Sequence, residues 1–118
     1  MKKLFNLVKE EFSQKYQEWQ WTYSFNFEFF FNNQKIEKIT ITDHWQKKQG
    51  RETITKEFIL EFFEESLNDE WREPSKHYLN RNVFIEKAFF HEKVYLLIFW
   101  FENNHPDWIW IRNCYRVD

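Results

Sequence analysis

The feature that most constrains this chain is an uninterrupted apolar run over residues 94–101. A strand that is apolar on both faces has to lie inside a sheet, between two neighbours and under a covering layer on at least one side. A helix that crosses a bilayer needs roughly 20 apolar residues, so the run is too short for one. It therefore predicts a central core strand and no membrane segment.

The sequence on both sides of this run predicts a three-stranded antiparallel meander. Residues 82–90 and 108–117 have strand composition, a turn is expected at residues 91–93, and a loop at residues 103–107. Further upstream, aromatic residues recur at every second position. They predict a long strand over residues 22–31, followed by a turn at Asn32, Asn33 and Gln34 and a partner strand over residues 35–42.

Three segments have helical features. Apolar residues spaced three or four apart predict an amphipathic helix over residues 3–19: Leu4, Phe5, Val8, Phe12, Tyr16 and Trp19. Residues 43–52 predict a short helix ended by Gly50. A third helix is expected from an N-cap at Thr55 to about Leu67, because Ile54 and Ile59 can form a hydrophobic staple.

These elements predict one α+β domain over residues 1–118, in the order α-β-β-α-β-β-β, with an antiparallel sheet packed against helices. Residues 1–34 would be an N-terminal extension on a core formed by residues 35–117. The single Cys114 cannot form an internal disulfide, and the amino terminus has no apolar signal stretch, so we expect a cytoplasmic protein. Neither a metal site nor a cofactor is expected.

Negative charge is concentrated in residues 57–73, which have a net charge of -6 in a chain of net charge -2. The carboxylates of the third predicted helix give it an acidic face that can pair with a basic partner, or that simply keeps the protein in solution. With an exposed Trp71, they form the predicted partner-binding set: Glu57, Glu61, Glu64, Glu65 and Trp71.

Positive charge is concentrated in residues 35–51. His44 can transfer a proton near neutral pH, and Lys47, Lys48 and Arg51 follow it closely enough to hold a phosphate. This cluster is a candidate phosphodiester site. The alternative is that His44 only caps or packs.

The last predicted strand has a second group of cations. Strict alternation would place Arg112, Cys114 and Arg116 on one face, so that the two arginines converge on a phosphate backbone with Tyr115 at the edge. The alternative is edge-strand charge that prevents sheets from associating. Cys114 has no histidine or aspartate at a spacing that marks a nucleophile, so we interpret it as structural.

Two parts of the sequence resemble the BrnT-like toxins of the RelE/ParE superfamily. The first is residues 39–44 with Arg51 and residues 54–59, and the second is residues 109–116 of the closing strand. The resemblance covers about residues 35–117. It implies a small toxin, typically a ribonuclease whose cationic and tyrosine side chains act on RNA, neutralised by a cognate antitoxin. By position, His44, Arg51, Arg112 and Arg116 match the family's histidine and arginines.

Two functions follow from these patterns. The first is a toxin-like, metal-independent ribonuclease that uses His44, Arg51, Arg112, Tyr115 and Arg116, with Lys47 and Lys48 holding RNA. The second is a non-catalytic interaction module, such as an antitoxin, an immunity protein or a phage-encoded inhibitor. The 7 Trp and 15 Phe exceed what a small core hides, which favours a protein partner or a homodimer.

Overall fold

The structure is a computed structural model that describes residues 4–43, 54–78, 81–102 and 105–117. Within those residues it contains nine strands and one helix. Their bounds are β1 (Phe5–Ser13), β2 (Glu18–Phe25), β3 (Phe30–Phe31), β4 (Gln34–Lys35), β5 (Lys38–Thr42), α1 (Lys56–Leu67), β6 (Lys76–Tyr78), β7 (Arg81–Phe90), β8 (Lys93–Phe101) and β9 (Trp108–Arg116).

Seven of the strands form one sheet, in the order β1-β2-β5-β9-β8-β7-β6. Strands β5 and β9 pair in parallel and the other neighbours in this sheet pair antiparallel. The connection from β5 through α1 to β6 carries the chain to the opposite end of the sheet, and the meander then returns to place β9 beside β5. Strands β3 and β4 form a separate hairpin.

Helix α1 begins and ends where the sequence predicts. The Thr55 side chain accepts a hydrogen bond from the backbone N–H of Phe58 (3.0 Å), which satisfies one of the free amides of the first turn. Ile54 and Ile59 are both buried, as a hydrophobic staple requires. The N-cap at Thr55 and the end at Leu67 are therefore confirmed.

The core lies between α1 and one face of the sheet and is dominated by phenylalanine. Phe63 of α1 stacks on Phe29 with ring centroids 4.9 Å apart and contacts Phe99 of β8 edge-on at 5.5 Å. All three side chains have no exposed surface. Offset and edge-on ring pairs contribute about 0.5–1.5 kcal/mol each beyond the burial of their area, so this cluster holds α1 on the sheet.

The predicted fold class, an α+β domain packed against helices in the order α-β-β-α-β-β-β, is wrong. Residues 5–25 form the hairpin β1–β2 instead of a helix, and the protein is a sheet-dominated fold with one helix in the described ranges. A register shift between Leu7 and Lys9 is the physical reason. The extra residue, Val8, interrupts the two-residue alternation of β1 and leaves apolar residues at spacings that resemble a helix.

The long strand predicted over residues 22–31 is also divided. Strand β2 ends at Phe25, and the chain then leaves the main sheet before Phe29 and Phe31 enter the core. The predicted turn is confirmed, because Asn32 and Asn33 have φ angles of 52° and 63° between the paired strands β3 and β4. Asparagine tolerates this left-handed region better than most residues.

The closing meander is confirmed, with β8 in the interior of the sheet between β7 and β9. The short helix predicted over residues 43–52, with Gly50 at its end, lies almost entirely outside the described residues. In the part of the chain that the structure describes, no helix is long and apolar enough to cross a membrane.

Candidate partner-binding groove

An open groove of about 630 Å³ lies between α1 and the amino-terminal end of the sheet. We call it the acidic groove and define it by its lining residues: Leu4, Phe5, Leu7, Tyr23, Lys56, Glu57, Leu60, Glu61, Glu64 and Glu65. All four glutamates predicted to bind a partner are among them. The groove also contains the apolar side chains of Leu4, Phe5 and Leu7, which lie in the segment predicted to be a helix.

One wall of the acidic groove is a side of α1. Ile59, Phe62 and Phe63 turn into the core, and the glutamates that line the groove lie on a different side of the helix. Glu57, Glu61 and Glu64 follow one another at intervals of four and three residues, so they form a single row along this side.

The other wall comes from β1, an edge strand of the seven-stranded sheet, and from Leu4 just before it. Leu4 and Leu7 are 46% and 47% exposed, and Phe5 packs edge-on against Phe25 with ring centroids 5.3 Å apart. Apolar side chains and carboxylates that line one concave groove can offer a partner both apolar area and charge. This wall therefore has the composition of a binding surface.

The floor of the acidic groove holds Tyr23, which is only 8% exposed. Burial, followed by the nearby negative charges of Glu57 and Glu10, raises the pKa of Tyr23 to about 12. The phenol is thus neutral at physiological pH and adds no negative charge to the floor.

Burial also raises the pKa of Glu64 above its usual range, and the neighbouring Glu65 and Glu61 raise it further. The carboxylates of this row therefore repel one another in the absence of a partner. A bound cation would relieve that repulsion, which makes the row a favourable contact for a positive charge.

The cation that lines the groove contacts an aromatic ring. Lys56 Nζ lies 4.0 Å from the ring centroid of Trp21, and the indole N–H of Trp21 donates to Glu10 at 2.9 Å. One of the groove carboxylates also has a histidine neighbour, since His91 Nε2 lies 3.4 Å from a carboxylate oxygen of Glu61. His91 can offset the charge of Glu61 only when it is protonated.

Trp71, the fifth residue of the predicted partner-binding set, lies apart from the acidic groove. It lines a smaller cavity of about 290 Å³ with Phe30, Asn33, Asp69 and Glu70, and it is 56% exposed. The structure thus groups the four glutamates and separates Trp71 from them.

The predicted ribonuclease residues divide into two groups. His44, Lys47, Lys48 and Arg51 lie outside the described residues. Arg112, Tyr115 and Arg116 all lie on β9, where Arg112 and Tyr115 are half-buried and Arg116 is exposed.

A bulge in β9 separates the two arginines that strict alternation had placed together. The register with β8 shifts at Arg112, so that Ile111 and Cys114 are both buried in the core although they are three residues apart. Alternation from Ile111 places Arg112 on the face away from α1, and alternation from Cys114 places Arg116 on the face that α1 covers. The strict alternation on which the expected convergence of the two arginines rested is therefore absent from β9. Cys114 is fully buried, as expected of a structural cysteine.

Several groove residues could not be recognised from the sequence, namely Leu4, Phe5 and Leu7 on one side, together with Tyr23 and Leu60. The alternating pattern that places Tyr23 on an apolar strand face was visible, but the position of β1 beside it depends on the bulge at Val8. Among the described residues, no cluster of three or more histidine, cysteine or acidic side chains has the geometry to hold a metal ion.

Comparison with known proteins supplies no relative. No known protein family matches the chain, and no curated protein or solved structure matches it significantly. The resemblance to the BrnT-like toxins stays a prediction.

Proposed function

We propose that this protein is a non-catalytic interaction module that binds a basic partner protein through the acidic groove. Antitoxins, immunity proteins and phage-encoded inhibitors are modules of this kind. The observation that carries the proposal is one groove that joins the exposed Leu4 and Leu7 to the carboxylate row of α1.

The two walls supply the two contributions that a protein interface needs. The exposed Leu4 and Leu7 supply apolar area for burial, which gives affinity. The row of Glu57, Glu61 and Glu64 supplies a negative potential that steers a basic surface and rejects an acidic one. A single small cation would use the carboxylates but leave both leucines exposed, so a partner with cations and apolar side chains fits better.

Nuclear magnetic resonance tests the location of binding. We expect a flexible peptide of lysine and leucine, added to ¹⁵N-labelled protein, to shift the backbone resonances of residues 4–7 and 57–65. The same peptide with glutamine in place of lysine serves as the control and is expected to shift them much less. Shifts spread evenly over the protein, or equal shifts with the neutral peptide, would contradict the proposal.

The toxin-type ribonuclease remains a second hypothesis with its own test. Induced expression of the wild-type protein would arrest growth, and the double variant His44→Ala, Arg112→Ala would not, provided that circular dichroism shows both to be folded. Arrest by the folded double variant would remove these two residues from any catalytic role. RNA binding and a homodimer likewise stay predictions.

A further inference from the structure

The carboxylate row and the apolar wall of the acidic groove have the pattern of a helix-binding site. We infer that the partner segment is an amphipathic α-helix with lysines or arginines at positions i, i+4 and i+7 and with apolar residues beside them. This inference rests on the proposed function, because it names the kind of segment that occupies the same groove.

The spacing of the carboxylates on α1 matches the spacing of side chains on a second helix. Glu57, Glu61 and Glu64 are on one helix, and at 1.5 Å per residue the row is about 10 Å long. A second helix lying along α1 presents its own i, i+4 and i+7 side chains at the same intervals. Cations at those positions would each face one carboxylate, whereas an extended strand covers the same length in about three residues and places alternate side chains on opposite faces.

The apolar side chains of the acidic groove also suit an amphipathic helix. Leu4, just before β1, and Leu7 of β1 line the groove and are about half exposed, and the buried Leu60 of α1 lines it as well. An amphipathic helix sits in such a groove by its apolar stripe, with anchors three or four residues apart. The cationic row beside that stripe then faces α1.

The edge of β1 argues against the addition of a strand. The register shift at Val8 distorts the edge, and the next three residues are all charged. Lys9 Nζ and Glu11 Oε1 form an ion pair at 3.3 Å, exposed at this edge. Bulges and charged side chains are the features that keep a sheet edge from pairing with another chain.

A second copy of this chain is also a poor occupant. The exposed row of its α1 is acidic, so two copies of α1 lying side by side would bring like charges together. The partner helix must have the opposite charge.

Two peptides of identical composition test the inference. Each is about 15 residues long, near the length at which an isolated helix begins to form. In one, lysine and leucine recur every three or four residues; in the other, they alternate at every second position. We expect the first peptide to bind about tenfold more tightly and to gain helical circular dichroism on binding. A version of it with a central proline, which breaks the helix, is expected to lose that advantage.

The outcomes separate the inference from the proposed function. If the alternating peptide binds as tightly, or if the bound peptide is not helical, the inference is wrong and the acidic groove remains a site for a basic segment. If neither peptide binds more tightly than a glutamine version of itself, the proposed function fails as well. Tighter binding of the helical peptide that survives Glu57→Lys, Glu61→Lys and Glu64→Lys together would also overturn the inference, because the carboxylate row would then have no part in it.

Discussion

Arg72 ties the segment after α1 to two other parts of the fold. Its guanidinium donates to Glu86 of β7 at 3.1 and 3.4 Å and to Glu70 at 2.9 Å. Its backbone N–H donates to the Asn32 side chain (2.7 Å), and its carbonyl accepts from the same side chain (2.9 Å). A single residue thus joins the β3–β4 turn, the loop after α1 and the sheet.

Replacing Arg72 by alanine should therefore destabilise the protein. Glu86, whose side chain is only 15% exposed, would lose its partner, and leaving such a group unpaired costs about 1–3 kcal/mol. Urea unfolding measures the change. Adding Glu86→Gln to the Arg72→Ala variant should recover part of the loss, because a neutral amide tolerates burial better. Equal stability of Arg72→Ala and wild type would contradict this account.

Glu64→Gln should stabilise the protein at neutral pH. Its pKa is raised in the folded state, so the folded protein holds the proton to higher pH than the unfolded chain does. The free energy of unfolding therefore falls as pH rises from the pKa of Glu64 in the unfolded chain to its pKa in the folded protein. Above the folded pKa this loss of stability is complete. We expect the variant to be more stable by about 0.5 kcal/mol at pH 7.

Measuring stability at several pH values shows whether the gain in Glu64→Gln comes from the raised pKa of Glu64 or from the change of side chain itself. Below the ordinary glutamate pKa of 4.5 the wild-type carboxyl is protonated as well, so the difference should disappear. The control is the same substitution, Glu73→Gln, at an exposed position outside the carboxylate row. An advantage of Glu64→Gln that grows as pH falls would contradict the assigned sign.

At the scale of elements, the sequence predicts those helices and turns whose determining residues are close together in the chain. Helix α1 has its cap, its staple and its buried stripe within one stretch, and the turn at Asn32 and Asn33 has residues suited to positive φ. The hairpin β1–β2 could not be predicted, because its identity depends on a bulge at Val8 and on pairing between β2 and β5. Such tertiary contacts override the local apolar spacing.

The contribution of the α1 N-cap to the stability of the protein can be measured with a single substitution. Thr55→Ala removes the side-chain acceptor of the Phe58 N–H and should lower the free energy of unfolding by about 1 kcal/mol. Thr55→Ser keeps the hydroxyl and should lie close to wild type. If serine and alanine cost the same, the loss would come from the methyl group and the capping role would be wrong.

The turn between β7 and β8 carries backbone strain that a substitution can relieve. His91 and Glu92 have φ angles of 49° and 66°, a region that costs residues with a Cβ about 1 kcal/mol or more. Glu92→Gly should raise the midpoint of thermal unfolding. Glu73→Gly, at a residue without positive φ, should lower it or leave it unchanged. A destabilised Glu92→Gly variant would contradict the assignment of strain to this residue.

At the scale of the whole molecule, the acidic groove depends on elements that are distant in the sequence. Strand β1 and helix α1 are separated by more than forty residues, and they lie together because β2 pairs with β5 while α1 covers the same face of the sheet. The acidic row could be predicted from the sequence, since its spacing is local. Its apolar counterpart could not, because strand order is not encoded in any short pattern. The parallel pairing of β5 with β9 was missed for the same reason.

The most direct test of the account compares two variants of equal charge. One carries Glu57→Lys, Glu61→Lys and Glu64→Lys within the acidic groove, and the other carries Glu28→Lys, Glu73→Lys and Glu92→Lys at exposed positions that do not line it. Calorimetric titration with the helical lysine–leucine peptide gives the affinity of each. Since exposed charge pairs contribute up to about 1 kcal/mol each, we expect the groove variant to bind on the order of 30-fold more weakly than wild type. The other variant should lose much less affinity. Equal losses in both would show that only net charge matters and would contradict a binding site in the groove.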